Sequence, residues 1–167
     1  MKLELIKAVV ILPGTVLVFV PGAILWLSAG TPGAIALAGP EQPRFWIAVI
    51  LAVGGFAFAV WTTRLFATAG KGTPAPWAPP TKLVVRGPYR HCRNPMISSA
   101  LVMLGAEALF FGSWYLAGWM ALFFAALTIA FVKFEEPELE QRFGDDYRRY
   151  KANVPRWIPS LRPWDGS

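Results

Sequence analysis

The chain has 167 residues, is 55% hydrophobic and only 16% charged, and carries a net charge of +6. A water-soluble domain of this size needs a more polar surface, so the composition excludes an ordinary soluble enzyme and points to the bilayer as solvent. One cysteine and one histidine exclude an internal disulfide and would leave a metal centre resting on carboxylates, so no metal site is expected.

The first segment, MKLELIK, leads into an apolar run from Val9 to Leu27. That run is of spanning length and longer than the core of a signal peptide, so it reads as a retained membrane helix. The span is set at about 6–28, and Pro13 and Pro21 predict a kink in it. A Gly/Pro-rich connector, SAGTPGAIALAGPEQP, covers 28–43, and a second span follows at about 45–66. Its Gly54, Gly55, Ala57 and Ala59 suit close helix contact and leave room for an oligomer.

Residues 67–94 are polar, with Pro74, Pro76, Pro79 and Pro80 in their first half. From Met96 to Val132 the chain is apolar again apart from Glu107, and Gly112-Ser113 supplies a turn near its middle. The spacing predicts a helical hairpin over 95–111 and 114–134. Region 64–94 holds Arg64, Lys71, Lys82, Arg86, Arg90 and Arg93 with no acid, whereas the 28–43 connector offers only Glu41. The positive-inside tendency therefore places 67–94 on the cytoplasmic side, with both termini beside it. Because the cations cluster next to apolar spans, their partner is expected to be a lipid bilayer and not nucleic acid.

In the tail, Leu139, Phe143, Tyr147 and Tyr150 recur at helical spacing between charged residues, which predicts an amphipathic helix on the cytoplasmic membrane surface. Pro137 is expected to end or bend the fourth span near Lys133–Glu135. The expected fold is an all-α integral membrane protein of about four transmembrane helices plus this C-terminal helix. An N-terminal helix pair, 1–66, precedes a core of loop, hairpin and tail, 67–167.

Candidate chemistry gathers on two short stretches, RGPYRHCRNPM and FEEPE. Asn94-Pro95 is an N-cap followed by a favoured first-turn proline, which starts a helix and turns its N–H groups and partial positive charge to whatever lies before it. Arg90 and Arg93 would reinforce an anion site there, or anchor the chain at headgroup depth. Glu135 and Glu136 either open the acidic first turn of the tail helix or face a cationic partner. Glu107, His91 and Cys92 have simpler readings as a snorkelling acid, a solvated loop residue and an unpaired thiol.

LVVRGPYRHCRNPM, an apolar hairpin, and FEEPELEQRFGDDYRRYKANVPRWIP together resemble the isoprenylcysteine carboxyl methyltransferase and phospholipid methyltransferase superfamily. The matching pieces are Gly87 to Tyr89, Arg93-Asn94-Pro95, Glu135-Glu136, Phe143-Gly144, Tyr147, Tyr150, Val154-Pro155-Arg156 and Pro159, spread over roughly 81–160. The resemblance implies a membrane enzyme that uses S-adenosylmethionine on a lipophilic small-molecule acceptor at the cytoplasmic face of the cell inner membrane. It implies cofactor contacts at Thr81, Lys82, Leu83, Val84, Tyr89, Asn94, Pro95, Met96, Ile97, Glu135 and Glu136, with Arg93 and Arg156 toward the substrate. It assigns no catalytic side chain. Asn94 and Ile97 stand where isoprenylcysteine enzymes carry His and Tyr, and Phe131 where they carry Arg, which shifts the expectation toward the phospholipid branch. The competing expectations are a non-catalytic membrane protein that binds anionic lipid through its basic loop, and a nicotinamide-dependent membrane reductase.

Overall fold

The structure, a computed structural model, describes residues 10–71 and 80–166. The start of the first span, with Lys2 and Lys7, and the prolines at 74, 76 and 79 lie outside the described residues. Every regular element among the described residues is helical. Helix α1 is Val10–Leu27, α2 is Pro43–Thr68, α3 is Pro95–Phe111, α4 is Trp114–Phe143 and α5 is Asp145–Asn153, with a 3-10 turn at Gly87–Arg90. Three of these, α1, α2 and α4, are long and apolar enough to cross a membrane. The third expected span, α3, has the expected limits, yet its 17 residues make it shorter than the other three. At 1.5 Å per residue it covers about 25 Å, less than the roughly 30 Å of a hydrocarbon core.

The outward faces of these helices are what lipid requires. Trp26, Phe19, Ile50 and Leu122 are all more than 60% exposed, a surface that water would not tolerate at this density. Helix α2 packs along α3 through Ala48, Gly55 and Thr62, which are buried at intervals of seven residues. Gly55 sits so close that a Cβ there would meet Met103 Cγ at 2.8 Å and the Ser99 carbonyl at 3.2 Å. Of the small residues expected to make close contact, Gly55 therefore does so within the chain, whereas Gly54 and Ala57 are exposed.

Two prolines shape α1 and α4 in the same way. Val20 N–H donates to the Thr15 carbonyl and Glu136 N–H to the Phe131 carbonyl, each a five-residue step that widens one turn just before Pro21 and Pro137. A proline ring collides with the carbonyl four residues back, and a π turn moves that carbonyl aside. The expectation that Pro137 ends the span is thereby corrected: α4 runs on through Glu135 to Phe143 without a break, and the proline is taken up by a π turn.

The 28–43 connector folds onto the hairpin. Ala36 and Ala38 N–H donate to the Phe111 and Phe110 carbonyls at 2.7 and 2.8 Å, and Trp114 N–H donates to the Gly33 carbonyl at 3.1 Å. Arg44 donates to the Ala36 and Leu37 carbonyls. Gly112, at φ +59°, makes the left-handed turn that ends α3, and Ser113 Oγ accepts from Leu116 N–H to start α4.

The tail departs from its expected form. Gly144 at φ +56° separates the end of α4 from α5, so the apolar face is carried by two helices. That face is not turned to the membrane. Tyr147, Tyr150 and Val154 are buried with Leu83, Val85, Leu139, Phe143 and Trp164 around them, because the extended 83–85 segment supplies the apolar partner.

Candidate functional site

The site is built where α3 begins, α4 leaves the apolar layer beyond Lys133, and the 80–94 segment crosses between them. Gly70 closes the base of that segment, its carbonyl accepting from Thr81 and Lys82 N–H at 3.0 and 3.3 Å. It has no room for a side chain, since a Cβ would lie 2.8 Å from the Phe66 carbonyl. Tyr89 is 4% exposed, its ring centroid 5.2 Å from that of Phe66. Its carbonyl accepts from Tyr150 Oη at 2.7 Å.

The last residues form a strap under this segment. Arg93 N–H donates to the Pro155 carbonyl at 2.9 Å, Ser160 N–H to the His91 carbonyl at 2.9 Å and Trp164 N–H to the Arg90 carbonyl at 3.0 Å. Arg90 Nε donates to the Trp164 carbonyl at 2.6 Å, and the Cys92 thiol to the Arg156 carbonyl at 3.1 Å. His91 Nδ1 lies 2.7 Å from the Ser160 carbonyl oxygen. Cys92 is buried and His91 is engaged in the strap, so neither is a free reactive group facing solvent.

Between these pieces lies a cavity of about 420 Å³, within the size range of ligand pockets. Ten of the expected site residues line it: Lys82, Leu83, Val84 and Tyr89 on one wall, Arg93, Asn94, Met96 and Ile97 on the next, and Glu135 and Glu136 opposite. Thr81, Pro95 and Arg156 do not line it. Sequence reasoning missed the wall made by Phe131, Phe134, Leu139, Phe143, Tyr147 and Tyr150. Its signal, the apolar periodicity of the tail, is equally a membrane face and an inward face.

The two adjacent glutamates are in opposite situations. Glu136 is 5% exposed. Its carboxylate meets Arg93 at 2.8 Å, Arg156 at 2.7 Å and Lys151 at 3.2 Å. Burial alone would raise its pKa, but the three cations outweigh this and hold it below the usual carboxylate range. Arg93 and Arg156, expected toward the substrate, are thus drawn to Glu136. Glu135 has no ion-pair partner among the described residues. Burial, and then the charges of Glu138 and Glu136, push it up to about 7. Arg142, also on the wall, pairs with Glu138.

Asn94 stands at the N-cap of α3, but its side chain makes no capping bond, contrary to expectation. Its carbonyl instead accepts from Ser98 N–H and Ser98 Oγ at 3.0 and 3.1 Å. Pro95 has no N–H, so the donors of Met96 and Ile97 at this helix start have no intrahelical partner and belong to residues on the cavity wall. Tyr89 Oη and Arg93 Nε are buried without a partner as well. Such orphaned donors suit an anionic, hydroxyl-rich ligand. Glu107, far along α3, also has a buried oxygen without a partner, but it lies outside this cavity. No group of three or more His, Cys, Asp or Glu that could hold a metal occurs among the described residues.

An all-α membrane protein with a largely apolar cavity, set with a few charged side chains, at the edge of the apolar layer defines the class. Residues 43–146 match the phospholipid methyltransferase family, and the chain belongs to it. The match starts at Pro43, the first residue of α2, so it reaches back beyond the 81–160 stretch that carries the motifs. This makes the chain an integral membrane methyltransferase of a family directed at lipid-like substrates. An uncharacterized protein of Haemophilus influenzae is 38% identical over 65 residues, which are 38% of this chain and 100% of that protein. No solved structure matches.

Proposed function

We propose that the protein transfers a methyl group from S-adenosylmethionine to an amine on a lipid-like acceptor, at the cytoplasmic face of the cell inner membrane with both termini on that side. One arrangement carries this reading: an uncapped helix start and an unpaired carboxylate, Glu135, share one cavity in a chain of a methyltransferase family. The orphaned donors and the cavity volume fit the cofactor, whose methionine part bears a carboxylate and an ammonium. The N–H groups of Met96 and Ile97, at the positive end of α3, would take the carboxylate. Glu135 would take the ammonium, Leu83, Val84 and Tyr89 would cover the adenine, and Lys82 would stand at the mouth with Thr81 behind it.

S-adenosylmethionine supplies an activated methyl on a cationic sulfonium. No nucleophile from the protein is needed: the acceptor amine in its neutral form would form the new N–C bond as the C–S bond breaks, with S-adenosylhomocysteine leaving and the positive charge passing to the methylated nitrogen. What the chain contributes is alignment and exclusion of water, by the aromatic wall of Phe131, Phe134 and Tyr89. Arg93 and Arg142 are each engaged by a carboxylate, Glu136 and Glu138, and Glu135 on the same wall has no ion-pair partner among the described residues, which favours an amine over a carboxylate as acceptor. Arg156 acts at one remove, by fixing Glu136 and through it Arg93.

Incubating the purified chain with methyl-labelled cofactor and vesicles of phosphatidylethanolamine or phosphatidylcholine tests this. Label is expected in the lipid phase of the ethanolamine vesicles. Its absence from every lipid fraction would overturn the lipid amine as acceptor.

A further inference from the structure

The backbone of 88–98 presents two sides. Tyr89, Arg93, Asn94, Met96 and Ile97 line the cavity just described, whereas Pro88, Arg90, His91, Cys92, Pro95 and Ser98 line a second one, of about 480 Å³. This second cavity is a groove walled on one side by Phe58 and Trp61 of α2 and on the other by Pro159 and Pro163 of the strap. Its walls are largely apolar, and Trp61, half exposed, carries them onto the outer surface of α2.

Depth and charge together name an occupant. Phe58 lies ten residues before the last residue of α2, Thr68, about 15 Å below the helix end at 1.5 Å per residue, which is acyl-chain depth. Trp61 is a turn nearer the interface, where amphipathic aromatics settle. Arg90 and His91 line the upper end of the groove, exposed Arg64, Arg86 and Arg162 flank its walls in sequence, and no Asp or Glu lines it. Clustered cations at headgroup depth attract anionic lipid. The neighbouring strap also holds out two apolar side chains, Ile158 at 82% and Leu161 at 98% exposure, which suit the interface and not water.

We propose that this groove binds one anionic phospholipid of the surrounding bilayer, its phosphate against the Arg90 guanidinium and an acyl chain over Phe58 and Trp61. The lipid is distinct from the methyl acceptor, because it sits behind the wall that the acceptor's cavity uses. Its contacts fall on the same strap bonds, from Arg90 to Trp164 and from His91 to Ser160, that hold this wall in place. The inference rests on the membrane placement of the family and not on the identity of the methyl donor.

Native mass spectrometry of the full chain, released from micelles containing equal amounts of phosphatidylglycerol and phosphatidylcholine, tests it. One phosphatidylglycerol is expected to be retained over phosphatidylcholine by at least roughly fivefold, the scale set by one interfacial arginine. Pro163→Glu is expected to abolish that preference by placing a carboxylate on the groove wall, and Pro163→Leu to keep it. Equal retention of the two lipids by the native chain would overturn the proposal whatever the variants do. So would an undiminished preference in Pro163→Glu, or a dimer that this variant dissolves, which would give the groove to a second copy. Titration of the same samples with S-adenosylhomocysteine reads the first cavity separately, so either reading can fail alone.

Discussion

Glu135 and Glu136 are adjacent in sequence and are chemically unlike because one helical step turns them to different surroundings. Glu136 is a buried carboxylate held by Arg93, Arg156 and Lys151. Its folded pKa lies below its ordinary value of 4.5, so the stabilisation is present above that value and is lost as pH falls through the folded one. Removing one member of a buried ion cluster strands the others, so Glu136→Ala is expected to cost about 3–5 kcal/mol, read as a lower midpoint of denaturant unfolding. The loss relative to the native chain should shrink below pH 4. Glu135 carries the opposite sign. Its folded pKa is raised to about 7, so ionising it opposes folding progressively from 4.5 up to 7 and by a constant amount beyond. For a ligand that brings an ammonium, affinity is expected to rise with pH by up to tenfold per unit below about 7 and to level off above it. Glu135→Gln should flatten that profile, and a profile unchanged in the variant would remove Glu135 from the site. The motifs singled out both glutamates, but nothing in the sequence says which one is spent on arginines, because the partners come from the 93 and 156 regions.

Among the elements, the membrane helices were the most legible. Apolar length and the Gly112-Ser113 turn placed α2, the first arm of the hairpin and the start of the second within a few residues of their observed limits, whereas the second arm runs nine residues past its expected end at 134. What hydropathy cannot carry is register. The π turns before Pro21 and Pro137 are hydrogen-bond rearrangements, and they turn an expected helix end into a continuous rod. The tail's period of three and four is likewise blind to its partner, since Leu139, Phe143, Tyr147 and Tyr150 would look the same lying on lipid. They lie instead on Leu83 and Val85. Tyr150→Phe, which deletes the buried bond to the Tyr89 carbonyl, is expected to cost about 1–3 kcal/mol and to weaken ligand binding by loosening the 83–89 wall. The α2–α3 seam makes a similar demand at Gly55, where Met103 can shift but the Ser99 backbone cannot. Gly55→Leu is expected to destabilise by about 1–3 kcal/mol or more through overpacking, measured by thermal unfolding in detergent, whereas the exposed Gly54→Leu should be tolerated.

At the scale of the whole molecule, α1, α2 and α4 supply a lipid-facing exterior, and the shorter α3 packs among them with its N-terminus at the cavity. A recess opens at that end, walled by residues of the 80–97 stretch on one side and of 127–150 on the other, with the strap 154–164 behind the 90–93 wall. The chain thus places a cavity with an aromatic wall and a few charged groups beside the apolar layer, where a donor from water and an acceptor from lipid can meet. Titrating the purified chain with S-adenosylhomocysteine tests this most directly. Saturable one-to-one binding that Glu135→Gln removes is the expected result. Absence of binding at millimolar ligand, or binding that survives Glu135→Gln undiminished, would contradict it.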